Sequence, residues 1–459
     1  MLRLHNTSTG QIEILETIEA NVVSMYICGP TVYDYPHIGH GRFVLVFDIL
    51  RRYLISQGYQ VRYVSNITDV DDKILAKAEA EGVAPSEITS RYEEIWWETM
   101  DKLRVLRPDA TPHATAYINQ MATFVEKLID ENIAYRLDDG VYFDVTKVGD
   151  YGLLARQSLE SLKAGARVEE DRGKRSPADF ALWKFFPGAT NAYSTSLGLG
   201  RPGWHTECVV MARDILGERF DIHGGGLDLA FPHHENERAQ AVADGSPFAN
   251  YWVHNGFIVV GDEKMSKSLG NFITLPELIG DGDPRSYRLL VLQSHYRSPL
   301  EVTKSTVADA TSALNRIDNF VRRFFEVIEE TSHASSKIDI AIGPIYEGFV
   351  EAMDEDLDTP KVMALLFSAI ASANSSIDRG DLESAIGDGS QIVRIIRILA
   401  LDAERDNSKI PADVMEIFQR RLEAREARDF ATSDLLRDEL AEMGYVVEDK
   451  KGNSSIRRA

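Results

Sequence analysis

Val22–Cys28 reads VVSMYIC, breaks at the turn GPTVYDYPHIGHG (Gly29–Gly41), and leads into FVLVFDILRRYLISQG (Phe43–Gly58). The first run is short, apolar and β-rich, as a buried strand requires. In the last, the apolar positions recur at helical spacing and stop at Gly58, so the order is strand, loop, helix. A second apolar run, VRYVSNIT (Val61–Thr68), meets the acidic DVDDK and a helix-like KILAKAEAEG, repeating the pattern. Strands that alternate with helices imply parallel βαβ units and an α/β domain.

Further along, helical patterns continue to about residue 134, and AYRLDDGVYFDV (Ala134–Val145) reads as a hairpin around Asp-Asp-Gly. From about 145 to 203 the sequence turns irregular, which predicts an insertion within the α/β domain. WHTECVVMARDILG (Trp204–Gly217) is helix-like, and FDIHGGG (Phe220–Gly226) is a strand running into a glycine turn. FPHHENERAQAVADG (Phe231–Gly245) places Pro232 at an expected first helical position, and the α/β sheet is expected to end near residue 245. From about 306 onward, long amphipathic patterns such as STVADATSALNRIDNFVRRFFEVIEE (Ser305–Glu330) predict a separate helical domain. A final arginine-rich unit ends in a basic tail.

At 459 residues the chain has room for about three domains, and 44% apolar with 27% charged residues excludes disorder and collagen-like architectures. Lys plus Arg number 50 against 72 Asp plus Glu, a net charge of −22, so a nucleic-acid partner must meet a local basic face. The two cysteines, Cys28 and Cys208, cannot build a disulfide framework of the secreted type. The first residues lack the basic-then-apolar pattern of an export signal, and no run of about 18 apolar residues occurs. A cytoplasmic chain with no membrane segment is expected.

Four constellations can carry chemistry. His37-Ile38-Gly39-His40 stands directly ahead of the first helix, where backbone N–H groups and the helix dipole favour a phosphate chain. A turn with exposed histidines is the plainer reading. Lys264-Met265-Ser266-Lys267-Ser268 follows the strand-like FIVVGDE; two lysines on a Ser/Gly-rich loop can neutralise a triphosphate and stabilise departing pyrophosphate. Alone, it is equally a solvated basic loop. His223-Gly224-Gly225-Gly226-Leu227-Asp228 puts a carboxylate where it can bind ribose hydroxyls, or is a generic glycine turn.

The most informative set is Cys28, Cys208, His233, His234 and Glu237. Positions 233 and 237 are i and i+4 on a helix and share a face; His234, at i+3 from Glu237, is also in reach. Either pair completes, with two thiolates, a Cys, Cys, His, Glu set suited to tetrahedral zinc. Two inert buried cysteines beside a polar helix is the alternative.

Taken together, ICGPTVYDYPHIGHGR, SNITDVDDKI, RPGWHTEC, DIHGGGLDLAFPHHENE and EKMSKSLGNF resemble the cysteinyl-tRNA synthetases, a family of class I aminoacyl-tRNA synthetases, from about residue 20 to the end. The resemblance implies an α/β Rossmann-type catalytic domain with an insertion, followed by an α-helical bundle and a small C-terminal domain. Its parts would be residues 1–125, the first half of the catalytic domain; 126–200, a connective insertion; and 201–245, the second half with the zinc site. There follow 246–305, a stem-contact region with the lysine loop; 306–402, a helical anticodon-binding domain of DALR type; and 403–459, a C-terminal anticodon-recognition domain.

The resemblance also implies one zinc ion per chain on Cys28, Cys208, His233 and Glu237, and Mg2+ accompanying ATP. Catalytic roles would fall to His37, His40, Lys264 and Lys267, and these four would bind ATP together with Gly39, Gly224, Gly225, Gly226, Asp228 and Ser266. Cys28, Tyr33, Thr68 and Trp204 would border the amino acid. The implied activity forms cysteinyl-adenylate from L-cysteine and ATP and passes the cysteine to the 3′ end of tRNA(Cys), in a monomer that needs no membrane. Serine and cysteine are near-isosteres that a size-based pocket separates poorly, so a thiophilic metal would make the choice and no editing domain would be required.

The C-terminal unit departs from the family pattern. Where the family commonly ends with an aromatic residue inside Gly-Thr-Thr-Trp-Arg, this chain reads Gly452-Asn453-Ser454-Ser455-Ile456-Arg457-Arg458, so stacking on an anticodon base is in doubt at Ile456. Arg425, Arg428 and Arg437, with Arg457 and Arg458, are the expected phosphate contacts. The rival reading is a paralogue joining activated cysteine to a small-molecule amine, as in mycothiol biosynthesis, for which the helical half and the arginine-rich end have no use.

Overall fold

The computed structural model describes every residue except 158–172, 189–190, 261–262, 265–272, 281, 331–339, 404–410, 451–452 and 459. At its centre lie four parallel strands, β1 (Val22–Ile27), β2 (Gln60–Ser65), β3 (Arg219–Gly226) and β4 (Phe248–Asn255). Their order across the sheet is β4-β3-β1-β2. The apolar run VVSMYI suits β1, an interior strand buried along almost its whole length. Helix α1 (Ile38–Ser56) crosses from β1 to β2, α2 (Trp204–Leu216) precedes β3, and α3 (Glu235–Ala243) crosses from β3 to β4. The winding therefore reverses between β1 and β3, and crevices of open parallel sheets form at such a point, beyond the C-terminal strand ends.

Three local expectations are corrected. The sheet does not end near residue 245, because β4 is its edge strand; the polar and aromatic text FANYWVHN hid it from a search for aliphatic runs. Residues 145–203 are not simply irregular. Strands Phe180–Phe185, Tyr193–Thr195 and Gly198–Pro202 join the Ala134–Leu137/Gly140–Phe143 hairpin in a five-stranded sheet, and their Gly, Lys and Arg content carried no alternation. Pro232 does not open the helix: a wider turn over Ala230–His234 comes first, and α3 begins at Glu235.

Helices Pro284–Leu292, Lys304–Glu330, Pro344–Asp354, Thr359–Arg379 and Leu382–Ile398 pack into one apolar core with α1. The chain forms two compact units, Met1–Asp402 and Ala403–Ala459. The second consists of helices Ala412–Glu426 and Phe430–Glu442 and a hairpin, Tyr445–Lys450 with Asn453–Arg458, around Val414, Phe418, Leu440, Tyr445 and Val447. Among the described residues no helix is long and apolar enough to cross a membrane.

Arg288 is wholly buried and joins three parts of the first unit. Its guanidinium donates to Asp48 of α1 at 2.7 Å and to the carbonyls of Leu103, Arg104 and Leu399. Burial penalises the Asp48 charge, but Arg288 and Arg52 override it and hold the carboxyl below its usual value. Its stabilising share is thus present above the unfolded-state pKa and lost as pH falls through the folded one. Arg288→Met removes the wholly buried partner of that carboxylate, leaving Arg52 and the Leu106 N–H, and is expected to lower stability by about 3 kcal/mol, measured as a shift of the urea midpoint at neutral pH.

Candidate active site

β1 and β3 end side by side, and the residues that follow each line a cavity of about 430 Å³. Cys28 comes directly after β1, and its N–H donates to the Gly224 carbonyl of β3 at 3.2 Å. A side chain at Gly29 would collide with the Asn66 carbonyl, while the Asn66 side chain accepts from the Gly29 N–H at 2.9 Å. That close pass of two backbones requires glycine at the strand end.

Helix α2 carries Trp204 and Cys208 four residues apart, on one face. Four buried donors then converge. Cys28 Sγ lies 3.7 Å from Cys208 Sγ and 3.5 Å from Glu237 Oε1, and Cys208 Sγ lies 3.7 Å from His233 Nε2. His233 Nε2 meets Glu237 Oε1 at 2.8 Å. A tetrahedral zinc with thiolates at ~2.3 Å sets two sulfurs about 3.8 Å apart and a sulfur and a nitrogen or oxygen about 3.5 Å apart. The three sulfur edges match that figure; the imidazole–carboxylate edge is shorter because those groups hydrogen-bond directly. The set fits zinc in both chemistry and size.

Spacing left His233 and His234 open. His234 turns away from Cys208: its Nδ1 meets His254 Nε2 at 2.8 Å, and its ring stacks on His223. Cys28, His223, His234 and Glu237 also lie within ligand reach of one another, but His223 is engaged at both nitrogens, Nδ1 with the Tyr26 carbonyl and Nε2 with Glu237 Oε2 at 2.6 Å. His223 thus holds Glu237 from behind, and His205 Nδ1 meets His233 Nδ1 at 2.9 Å, so both potential ligands are oriented by a further histidine. Sequence reasoning missed His205 and His223. Both stand inside the quoted strings RPGWHTEC and DIHGGG, yet no spacing rule links them to the residues they touch.

Charge in this cluster is tightly shared. Burial and the neighbouring thiol push Cys28 well up, while the hydrogen bond with Cys28 draws Cys208 down to about 7. Burial opposes a charge on His233, but Glu237 overrides it and lifts the imidazole to about 10. Burial likewise opposes the Glu237 charge, and His233 with His223 holds the carboxyl well below its usual value.

His37, which lines the same cavity, caps α1 reciprocally with His40. His37 Nδ1 accepts from the His40 N–H at 3.2 Å, His40 Nδ1 accepts from the His37 N–H at 3.1 Å, and the rings stack at 3.6 Å. With each Nδ1 accepting, a neutral ring carries its proton on Nε2 and offers a donor there. His37, Gly39, His40, Tyr33, Trp204, Gly226 and Asp228 all line the cavity. The Trp204 ring, 39% exposed, stacks on His233 at 4.0 Å, and the Lys73 ammonium sits 5.3 Å from the Tyr33 ring.

Other expected site residues lie elsewhere. Gly224 and Gly225 sit within β3, where a Cβ would strike Phe47 of α1 or Leu229 and His234. Thr68 is buried behind the turn, donating to Glu207 Oε2 at 2.9 Å while its backbone bonds Pro30 and Val32. Lys264 belongs to a two-residue strand, Glu263–Lys264, antiparallel to Ile258–Val260. Ser266 and Lys267 lie outside the described residues.

A protein of Caldicellulosiruptor saccharolyticus named cysteine–tRNA ligase is 40% identical over 464 residues, with 100% of each chain covered. The chain belongs to the cysteine–tRNA ligase family. It is a class I aminoacyl-tRNA synthetase: the model of the tRNA synthetases class I (C) catalytic domain matches residues 14–312. A DALR domain matches 348–403, and the cysteinyl-tRNA ligase anticodon binding domain matches 407–457. A cysteine–tRNA ligase of Alkalilimnicola ehrlichii is 42% identical over 471 residues, again covering 100% of each chain. The fold is also similar to methionyl-tRNA synthetase of Mycobacterium tuberculosis in complex with methionyl-adenylate, with a TM-score of 0.58 and 13% identity over 83% of this chain and 90% of that one.

Proposed function

We propose that the chain activates L-cysteine with ATP, giving cysteinyl-adenylate and pyrophosphate, and then transfers the cysteine to the 3′-terminal ribose of tRNA(Cys). The observation that carries this reading is the buried cluster of Cys28, Cys208, His233 and Glu237 beside the cavity, with edges of zinc-site length. Bound there, one zinc ion per chain would supply a thiophilic position that suits a cysteine thiolate and fits a serine hydroxyl poorly. His205 and His223 keep the two non-sulfur ligands oriented, and Trp204 with Tyr33 walls the amino-acid side. Thr68 supports that wall from behind.

The cysteine carboxylate is ionised at neutral pH and needs no general base to attack the α-phosphate. The catalytic demand is placement and charge neutralisation. The Nε2 donors of His37 and His40, the passage at Gly39 and the N-terminus of α1 face the phosphates, and Gly226 with Asp228 faces the ribose. Lys264, Ser266 and Lys267 take the charge that builds on the departing pyrophosphate, and Mg2+ bound with ATP would supply further charge neutralisation. Gly224 and Gly225 serve by letting β3 lie close to α1 and His234. The setting we propose is the cytoplasm, with the chain acting as a monomer.

Charging assays test the reading: labelled cysteine should attach to unfractionated tRNA in the presence of ATP, and labelled serine should not. Charging of both would remove the role assigned to the cluster. A small-molecule cysteine ligase is disfavoured by the matched anticodon-binding domain.

Zinc must displace the protons that the thiols and His233 hold, so retention rises with pH by up to about tenfold per unit for each proton released. Dialysis against a weak chelator is expected to leave about one zinc per chain at pH 8 and to strip most of it near pH 5.5, read by metal analysis. Flat retention over that range would contradict the thiolate ligation.

In the C-terminal unit, Arg421 and Arg425 both pair with Asp449, which hydrogen-bonded Arg421 holds far below the usual carboxylate range. Arg425 is therefore partly committed inside the unit, and Arg428, at the turn between the two helices, is the cleaner phosphate contact. Arg428→Glu is expected to weaken tRNA binding and lower its salt slope by about 1, measured by filter binding between low and moderate salt.

A further inference from the structure

Arg42 follows the histidine turn directly and is buried at 1% exposure. Among the described residues no carboxylate lies within ion-pair distance of it. Its two terminal nitrogens instead meet five main-chain carbonyls, while Nε has no partner among the described residues. Nη1 donates to Gly256 at 2.8 Å and Phe257 at 2.6 Å; Nη2 donates to Tyr296 at 3.2 Å, His295 at 3.4 Å, and Ser298.

Those carbonyls belong to two segments, which continue into the parallel pair Ile258–Val260 and Leu300–Glu301. Gly256–Ile258 lines the cavity and opens the strand Ile258–Val260, which pairs with Glu263–Lys264. The 295–298 segment closes on it: the Gly256 N–H donates to Tyr296 O at 2.8 Å, and a Cβ at Gly256 would press within 2.6 Å of the Arg297 and Ser298 carbonyls. Beyond the lysine loop the chain returns to the same turn. Ile38 N–H donates to Ile273 O at 3.2 Å, Leu275 N–H donates to Pro36 O at 2.7 Å, and His37 and Thr274 form an antiparallel bridge. The backbone on both sides of the lysine motif is thus tied to the turn that carries His37 and His40.

We propose that Arg42 is a positioning residue for adenylate formation: it sets the strand pair that carries Lys264 against the turn that carries His37 and His40. This rests on the reading of those three residues as ATP contacts. A triphosphate gripped from two sides is sensitive to their separation, and a misplacement of about 1 Å costs on the order of 10²-fold in rate. Lysine cannot replace the guanidinium, because one ammonium has three donors on a point charge and cannot span five carbonyls on two segments.

Arg42→Lys tests the proposal in cysteine-dependent ATP–pyrophosphate exchange. The expected result is a fall in kcat of about 50-fold with a raised KM for ATP, while KM for cysteine and zinc content stay within about twofold. Gly256→Ala is the second variant: it leaves Arg42 intact, forces the two segments apart, and should shift the same ATP parameters whether or not Arg42→Lys folds. Unchanged ATP parameters in folded Arg42→Lys, or in Gly256→Ala if Arg42→Lys does not fold, would overturn the proposal. So would an equal loss of cysteine affinity and zinc, which marks Arg42 as general structural support. An unmutated chain that fails to exchange pyrophosphate with cysteine would refute the functional reading itself.

Discussion

Cys208→Ser is expected to cost the chain its metal and its activation of cysteine together. Zinc content should fall from about one per chain toward zero, and cysteine-dependent pyrophosphate exchange by on the order of 10³-fold. The substitution trades one atom inside a buried site, so packing of α2 against the sheet survives. The lost sulfur lies 3.7 Å from Cys28 Sγ and 3.7 Å from His233 Nε2. A serine hydroxyl does not deprotonate near neutral pH and is a poor ligand for a borderline-soft ion. ATP affinity should persist, since neither His37 nor His40 belongs to the four-residue cluster. Metal analysis with an exchange assay on one preparation checks both halves; retained zinc beside lost activity would show that Cys208 acts otherwise than as a ligand.

His40→Ala is expected to lower kcat for adenylate formation by about 10²–10³-fold with little change in KM for cysteine. Two effects combine in it. The His40 Nε2 donor is removed from the cavity, and the reciprocal cap on α1 is broken, because His40 Nδ1 no longer accepts from the His37 N–H. His40→Asn separates them: an Asn oxygen can still accept from the His37 N–H, but it places no donor where Nε2 stood. Asn should therefore recover the helix stability that Ala loses, about 1 kcal/mol, and almost none of the rate. Recovery of rate by Asn would make His40 a cap alone. Single-turnover adenylate formation and thermal unfolding provide the two readouts.

The α/β frame was legible because VVSMYIC, the turn and FVLVFDILRRYLISQG change period at clear breaks. Strand β4 was not, since Asn250, His254 and Asn255 interrupt the apolar text; its pairing with β3 decides its conformation. Of the insertion strands, Tyr193–Thr195 is only three residues long and Gly198–Pro202 carries two glycines, so tertiary pairing again outweighs local pattern. In the site, Cys28, Cys208, His233 and Glu237 could be named in sequence, but the choice between His233 and His234 depends on a three-dimensional fact. The wider turn before α3 aims His233 at Cys208 and gives His234 to His254. His205, His223 and Arg42 escaped for the same reason: each acts on residues distant in sequence, and no spacing rule predicts those contacts. Thr68 shows the converse, a residue in a quoted string whose side chain turns to Glu207 and not to the cavity.

The central claim is that the cluster holds a metal that reads the substrate thiol. Cobalt(II) exchanged for zinc makes this visible, because thiolate-to-metal absorption grows with each sulfur bound. Titrating the cobalt protein with cysteine should intensify that absorption, saturating over the same concentrations as pyrophosphate exchange, and serine should leave it unchanged. An absorption spectrum indifferent to cysteine at concentrations that saturate exchange would contradict the account.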